Sequence, residues 1–420
     1  MLRKLMCRTP QGLLAIVNIL GLLLLLFYNK ELDKKIIISV SLFMLTVYIS
    51  NLILYKISNG DHYIFLVVSM LTSIGVIMIY RISPARGLRQ IVYYGIGIVG
   101  FYVTYFILKN IKNWSKYTEI YLIASLGLYI FTLIFGTRIG GATNWIRIGG
   151  FGLQPSEIIK VLFIFFLASY YVNREKYVKK FGSKTSYIFM ALSYTYVGFL
   201  FLQKELGTAL LFFLVFNAIF FVYEPDRKLI LFNVIGAAVM AIAGYFLFSH
   251  VRLRVDIWLD PWKDLTSRGY QIVQSLFAIA SGGFFGTGVG LGHPEFVPEV
   301  HTDFIFAAIC EEMGIFAGIA IMMLFMVIVY RGIKITIQQQ DKFFRIIALG
   351  ITATLGFQAF IILGGVIKMI PLTGITLPFI SYGGSSLISS FIALGVLQVA
   401  SEELDIEQEE EHEYRVQEDN

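Results

Sequence analysis

The chain has 420 residues, 57% of them apolar and only 15% charged. Soluble domains rarely reach that balance; polytopic membrane proteins do, and no nucleic-acid partner is expected. The net charge of +6 understates how basic the membrane body is, because an acidic block from Glu402 to Asp419 closes the chain.

Apolar runs of roughly 20 residues, the length that crosses a hydrocarbon core of roughly 30 Å, recur from end to end. Backbone groups in lipid must bond internally, so each run is a helix. The expected fold class is an all-α polytopic membrane protein with about twelve transmembrane helices, near 12–28, 36–56, 63–81, 90–109, 118–136, 156–173, 185–202, 206–223, 228–249, 303–330, 343–367 and 382–401. The first run shows no small-x-small cleavage site at Phe27-Tyr28-Asn29-Lys30 and reads as a retained span. Cys7 and Cys310 have no CxxC or metal spacing, which excludes an extracellular disulfide scaffold.

Lys and Arg near span ends set orientation. Arg3, Lys4 and Arg8, then Lys109, Lys112 and Lys116, then Arg174 to Lys184, and finally Arg331, Lys334, Lys342 and Arg345 fall on one face. Arg81, Arg86 and Arg89 fall on the other and oppose the trend. Both termini are expected in the cytoplasm, which puts the loops 137–155, 250–302 and 368–381 together on the outer face.

The loop 137–155 holds Trp145 and Arg147 among glycines 140, 141, 149, 150 and 152. They read either as an interfacial Trp with a snorkelling Arg or as a substrate-binding pair. Pro155 starts a helix on which Glu157 and Lys160 share a face at i,i+3. Their pairing toward the bundle interior is expected, as a structural ion pair or as the charged wall of a cavity. Gln203-Lys204-Glu205-Leu206-Gly207-Thr208 is either a short turn or a helix break lining a cavity.

The long outer loop has amphipathic pieces at Ile272-Val273 and 276–279 that suit the membrane surface or re-entry. Glycines 282, 283, 286, 288, 290 and 292 follow, and their backbone N–H groups are candidates for cupping an anion. Glu299, His301 and Asp303 then crowd the mouth of the next helix. Thr302 or Asp303 reads as an N-cap. A partly desolvated, ionised Asp303 reads instead as a general base for a sugar hydroxyl, with Glu299 and His301 as substrate-binding candidates. Glu311 and Glu312, deeper in that helix, are expected to meet internal cations or neighbouring helices. The prolines and glycines of 371–386 forbid a continuous helix, so that backbone must be buried or line a cavity. Ser385 is a candidate substrate contact, with close packing as its alternative.

Four long words carry a family likeness in order: NWIRIGGFGLQPSE with Lys160, GYQIVQS with SGG, PEVHTDFIFA with EEMG, and PLTGITLPFISYGGSS. Over roughly 60–400 the chain closely resembles the SEDS family of rod-shape, division and sporulation proteins. The resemblance implies a peptidoglycan glycosyltransferase that polymerises lipid II and serves cell shape or cell division. It puts Asp303 on the family's essential aspartate, Trp145 on its important tryptophan, and Glu157 and Lys160 on its intramembrane charged pair. It also implies a class B penicillin-binding protein, a transpeptidase, as partner. Two features depart from the pattern. Residues 1–60 add two spans to the usual ten, and the family's QPDLGT reads QKELGT here, without the proline and with a longer carboxylate arm.

The organisation expected is thus two extra helices in 1–60, a membrane core over 61–401 with the loop 250–302, and an acidic cytoplasmic tail over 402–420. The reaction expected is an inverting transfer onto a nascent lipid-linked glycan. Arg147, Lys204, Arg252 and Arg254 are candidate donors to the leaving diphosphate. A Mg²⁺ or Mn²⁺ ion brought by that diphosphate is the one cofactor considered, since no residues have structural-metal spacing. A flippase of lipid-linked precursors and a pure scaffold for the transpeptidase are the rival readings.

Overall fold

The computed structural model describes residues 10–28, 34–111, 113–139, 142–148, 151–263 and 268–418, the last sixteen as backbone alone. Arg3, Lys4, Cys7, Arg8, Lys30, Lys112, the glycines Gly140, Gly141, Gly149 and Gly150, and 264–267 lie outside the described residues.

The N-terminal part runs α1 (Pro10–Tyr28), α2 (Lys34–Ile57), α3 (His62–Ile82), α4 (Pro84–Asn110) and α5 (Thr118–Phe135). A sheet of β1 (Thr137–Ile139), β2 (Ala142–Ile148) and β3 (Phe151–Leu153) leads into α6 (Pro155–Val172). Then come α7 (Arg174–Phe181), α8 (Thr185–Leu202), α9 (Leu206–Tyr223), α10 (Arg227–Leu247), α11 (Ser249–Leu259) and α12 (Arg268–Gly282). The chain closes with α13 (Ile305–Gln338), α14 (Lys342–Val366) and α15 (Gly384–Glu418). Among the described residues eleven helical runs are long and apolar enough to cross a membrane, counting α7 and α8 as one. The first expected run falls on α1, a further apolar helix of 19 residues.

Helix starts follow local chemistry. The Asp61 carboxylate accepts the backbone N–H groups of Tyr63 at 2.8 Å and Ile64 at 3.3 Å, and Asp341 caps α14 in the same way. Pro84 and Pro155 occupy the first turns of α4 and α6, where a missing N–H costs nothing. Spans α3, α6, α14 and α15 are the most enclosed by protein, while α10 shows most of its surface to the surroundings.

Consecutive crossings put the turn at Ser83, the sheet, the break at 203–205, the region 248–304 and the coil 367–383 on one membrane face. The start of α3, the region 111–117 and the α7 turn lie on the other. The first of these is called the motif face below.

Three expectations are corrected here. The loop 137–155 holds a three-stranded antiparallel sheet, with Trp145 opposite Thr137 and Arg147 opposite Gly152. The cause is period-two patterning: Asn144 and Ile146 are buried, while Trp145 and Arg147 turn outward. The span expected at 303–330 is the longer α13, broken at Gly314 (φ 81°, ψ 170°). The break survives because α12 ends against it. The N–H of Ile315 donates to Gly283 O at 3.0 Å, and those of Thr287 and Gly288 reach the carbonyls of Glu311 at 2.9 Å and Glu312 at 3.0 Å. Glu402, expected in the solvated tail, is instead buried, with its carboxylate 2.9 Å from Lys109 Nζ and also bonded to the Tyr105 hydroxyl.

Candidate active site on the motif face

Asp303 sits in a tight turn over 298–304, one residue before Phe304 begins the helical path. It is not the cap that its position suggests. Phe304 is the N-cap residue of α13 and no side chain caps that end. The reason is tertiary. The turn is stitched to the coil 377–382, so the Asp303 carboxylate is directed toward Gly374 and not back over its own helix. A side chain at Gly374 would place its Cβ 3.5 Å from Asp303 Oδ2, and that glycine holds φ +73°.

The stitching bonds can be traced one by one. Ser381 Oγ donates to Thr302 O at 2.6 Å and accepts from Leu377 N at 2.9 Å. Tyr382 N donates to His301 O at 2.8 Å. Gln90 of α4 donates to Ser381 O at 3.1 Å and accepts from Gly383 N at 3.4 Å. Arg254 of α11 donates to Thr373 O at 2.7 Å and Leu372 O at 3.2 Å. Two chain segments some seventy residues apart thus form one rigid mouth.

The electrostatics of that mouth favour a basic carboxylate. Burial pushes the Asp303 pKa up to about 6, with the negative charge of Glu299 adding to the rise. A hydrogen bond from Thr302 and the charge of Arg254 oppose it. His301 titrates below its ordinary value because of burial and the nearby Arg86 guanidinium. Arg86 Nη1 lies 3.0 Å from His301 Nδ1. Arg has no acceptor, so Nδ1 accepts and Nε2 carries the proton that faces Glu299 Oε2 at 3.7 Å. Glu299 itself holds φ 54°. Lys204, Lys368 and Phe379, also on the motif face, share positive φ, the kind of backbone strain that clusters at functional sites.

The remaining expected residues lie around this mouth in two groups. Glu157 and Lys160 pair at 2.8 Å. Ser389 donates to Glu157 at 2.6 Å, and Lys160 donates to Gln358 Oε1 at 3.1 Å. Gln358 in turn donates to Thr376 O at 2.9 Å, which ties the intramembrane pair to the coil beside Asp303. In the second group the ring of Trp145 lies over Gly152, where an added Cβ would come within 3.0 Å of it, and Arg147 is exposed two residues further along the same strand face. Ser385 is occupied by the sheet: it donates to Gly152 O at 3.0 Å and accepts from Gln154 N at 3.1 Å.

Glu205 joins this sheet to the mouth. It is buried and accepts hydrogen bonds from Asn144, Gln154 and Ser156. Two residues on, Gly207 lets the backbone of Thr373 approach to within 2.9 Å of where a Cβ would stand. The segment 203–208 is therefore a helix break that fastens a site and not a bare turn.

The glycine run does not cup an external anion at its centre. Gly290 N donates to Glu312 Oε2 at 3.1 Å and His293 N to Glu311 Oε1 at 2.9 Å, so the protein's own carboxylates fill it. Arg81 pairs with Glu312 at 2.8 Å and donates to Gly292 O at 3.0 Å. In the sequence Arg81, Arg86 and Gln90 read only as loop charge or span. Their spacing along the end of α3 and the start of α4 was the signal available. Among the described residues no group of three or more His, Cys, Asp or Glu side chains is placed to hold a metal ion. Asp303 and Glu299 alone leave most of a Mg²⁺ coordination shell to substrate oxygens and water.

The family model described as "Cell cycle protein", which covers FtsW, RodA and SpoVE, matches residues 61–406. The chain is 34% identical to the peptidoglycan glycosyltransferase RodA of Mycobacterium tuberculosis, over 79% of this chain and 76% of that one. It is 36% identical to a probable peptidoglycan glycosyltransferase FtsW of Geobacter metallireducens, over 82% and 95%. It is 33% identical to the stage V sporulation protein E of Bacillus subtilis, over 81% and 97%. Among solved structures it resembles a chain from a peptidoglycan synthase complex in which polymerization and crosslinking are coordinated, with TM-score 0.71, 25% identity and coverage of 82% and 98%. The rod shape determining protein RodA of Thermus thermophilus shares its fold, with TM-score 0.60 at 24% identity, over 81% of this chain and 96% of that one.

Proposed function

The chain belongs to the SEDS family of FtsW, RodA and SpoVE, and from that premise we propose that it is a peptidoglycan glycosyltransferase polymerising lipid II at the outer face of the cytoplasmic membrane. The observation that carries this reading is the Asp303 carboxylate, poised at about 6 in a turn that two distant loops hold rigid. A base of that strength is mainly ionised at neutral pH and accepts a proton more readily than an exposed aspartate.

In this mechanism Asp303 takes the proton from the 4-hydroxyl of an incoming lipid II. The freed oxygen attacks the anomeric carbon of the lipid-linked donor. The bond to the diphosphate breaks, and polyprenyl diphosphate leaves with the electron pair. One displacement at an α-linked diphosphate gives a β-linked glycan. Arg147 and Lys204 are exposed on the motif face, where cationic groups stabilise the leaving diphosphate. Arg254 positions the 372–374 backbone that faces Asp303. Trp145, Glu299 and His301 line the approach, while Glu157 and Lys160 hold the coil from below. A divalent ion bound with the diphosphate would neutralise its charge, and Asp303 and Glu299 are the carboxylates at the mouth that would help hold it.

The motif face is read as the outer one, with both termini in the cytoplasm. Arg81, which opposes that orientation by simple counting, is paired inside the protein with Glu312 and does not vote as a loop charge, whereas Arg86, hydrogen-bonded to His301, and Arg89 stay exposed and still oppose it. The partner expected at this face is a class B penicillin-binding protein.

The test is polymerisation of labelled lipid II by purified protein, with and without a candidate transpeptidase. Glycan ladders from wild type and none from a folded Asp303→Asn protein are expected. Equal ladders from both would remove Asp303 as the base, and none from either would remove the activity.

A further inference from the structure

The pair α1 and α2 precedes the family match and takes no part in the site described above. Between them lies a cavity of about 330 Å³, a size typical of small-ligand sites. Its walls include Leu14, Met44 and Val47, and its polar groups include Asn18 and Asn51. Asn18 is only 4% exposed, and its Oδ1 has no hydrogen-bond partner. Asn51 cannot supply one, because its amide donates to Val47 O at 2.8 Å and to Ser69 Oγ at 3.1 Å. Asn18 lines the cavity, and a buried acceptor without a partner asks for a donor from outside the chain.

Depth restricts what that donor is. Gln11 lies at the end of α1 away from the motif face, and Asn18 lies seven residues further in, roughly 10 Å at the helical rise. Asn18 thus sits within one leaflet of the hydrocarbon core. A charged headgroup is expensive at that depth, whereas a neutral hydroxyl is not. The rest of the wall suits an alkyl or isoprenoid chain. We propose that the cavity between α1 and α2 binds an uncharged, hydroxyl-bearing lipid, a diacylglycerol or a free long-chain alcohol, whose O–H donates to Asn18 Oδ1.

The test uses the full chain in phosphatidylcholine nanodiscs, photolabelled in one arm with a diazirine-bearing diacylglycerol and in the other with a diazirine-bearing long-chain alcohol. Labelled peptides are mapped by mass spectrometry, and the arm that labels identifies the source. Labelling within 10–28 and 34–57 is expected, displaced by the unlabelled lipid of the same arm but not by trioleoylglycerol, which has no hydroxyl. Asn18→Leu is expected to lower it about tenfold, the worth of one hydrogen bond. Ala15→Phe, which keeps the Asn18 amide but fills the cavity beside it, is expected to abolish it. Lipid II polymerisation and the melting temperature of both variants should match wild type. Equal labelling of Asn18→Leu, displacement by trioleoylglycerol, or no labelling of these helices in either arm overturns the proposal.

Discussion

With a pKa near 6, the Asp303 carboxyl is mainly ionised at pH 7, and its charge is held in a site that resists it. Two outcomes follow with opposite signs. The rate of the chemical step should fall as pH drops through about 6, because protonation removes the base; a pH profile of single-turnover polymerisation measures this, and a limb near 4 would show an unperturbed carboxylate. Stability moves the other way. The folded pKa lies above the ordinary 3.8, so the native state is penalised at neutral pH and recovers as pH falls below 6. Asp303→Asn removes the charge and should raise the melting temperature while abolishing product, a gain of up to about 3 kcal/mol by linkage. An unchanged or lower melting temperature would mean that the carboxylate helps hold the fold. Sequence spacing marked Asp303, Glu299 and His301 as a group because they are adjacent in the chain. It did not show that Gly374 and Ser381 complete the mouth, since that contact depends on how α14 and α15 pack.

The break in α13 sets where the first part of that helix can stand, and Gly314 sets the break. Its φ of 81° and ψ of 170° belong to a region that only glycine enters without strain. An added Cβ there would also lie 2.3 Å from Phe284 O. Gly314→Ala should therefore destabilise by at least about 3 kcal/mol, strain and overlap together, and should pull Glu311 and Glu312 away from 287–293. Gly236 in α10 is the control: nothing lies within 4 Å of its Cβ position, so Gly236→Ala should be neutral or gain up to about 1 kcal/mol. Thermal unfolding in detergent compares the two, and equal melting temperatures would show that the break is not held by glycine. At this scale the helices were legible because an apolar run of span length has one solution in lipid. The sheet was not, because glycines on both sides of ATNWIRI masked a short alternation. The glycine run misled for a related reason: the N–H groups of Gly290 and of His293 beside it do bind carboxylates, but ones supplied by α13 from 22 and 18 residues away.

Across the whole molecule, charge is sorted by face in a way that counting Lys and Arg obscures. On the face away from the mouth, Lys176 is 68% exposed at the side chain, and its ion-pair partner Glu119, 3.8 Å away, is itself exposed. On the motif face, Arg81 is 9% exposed and spent on Glu312. Internal pairing thus removes Arg81, but not the exposed Arg86 and Arg89, from the count against a cytoplasmic N-terminus, and orientation is open to direct measurement. In a Cys7→Ser background, where buried Cys310 is the remaining thiol, a cysteine placed at exposed Arg147 should react with a membrane-impermeant maleimide on intact cells. A cysteine at Lys176 should react only after permeabilisation. The reverse pattern would put the Asp303 mouth in the cytoplasm, where the polymer it is proposed to build is not assembled, and would return weight to transport of a lipid-linked precursor.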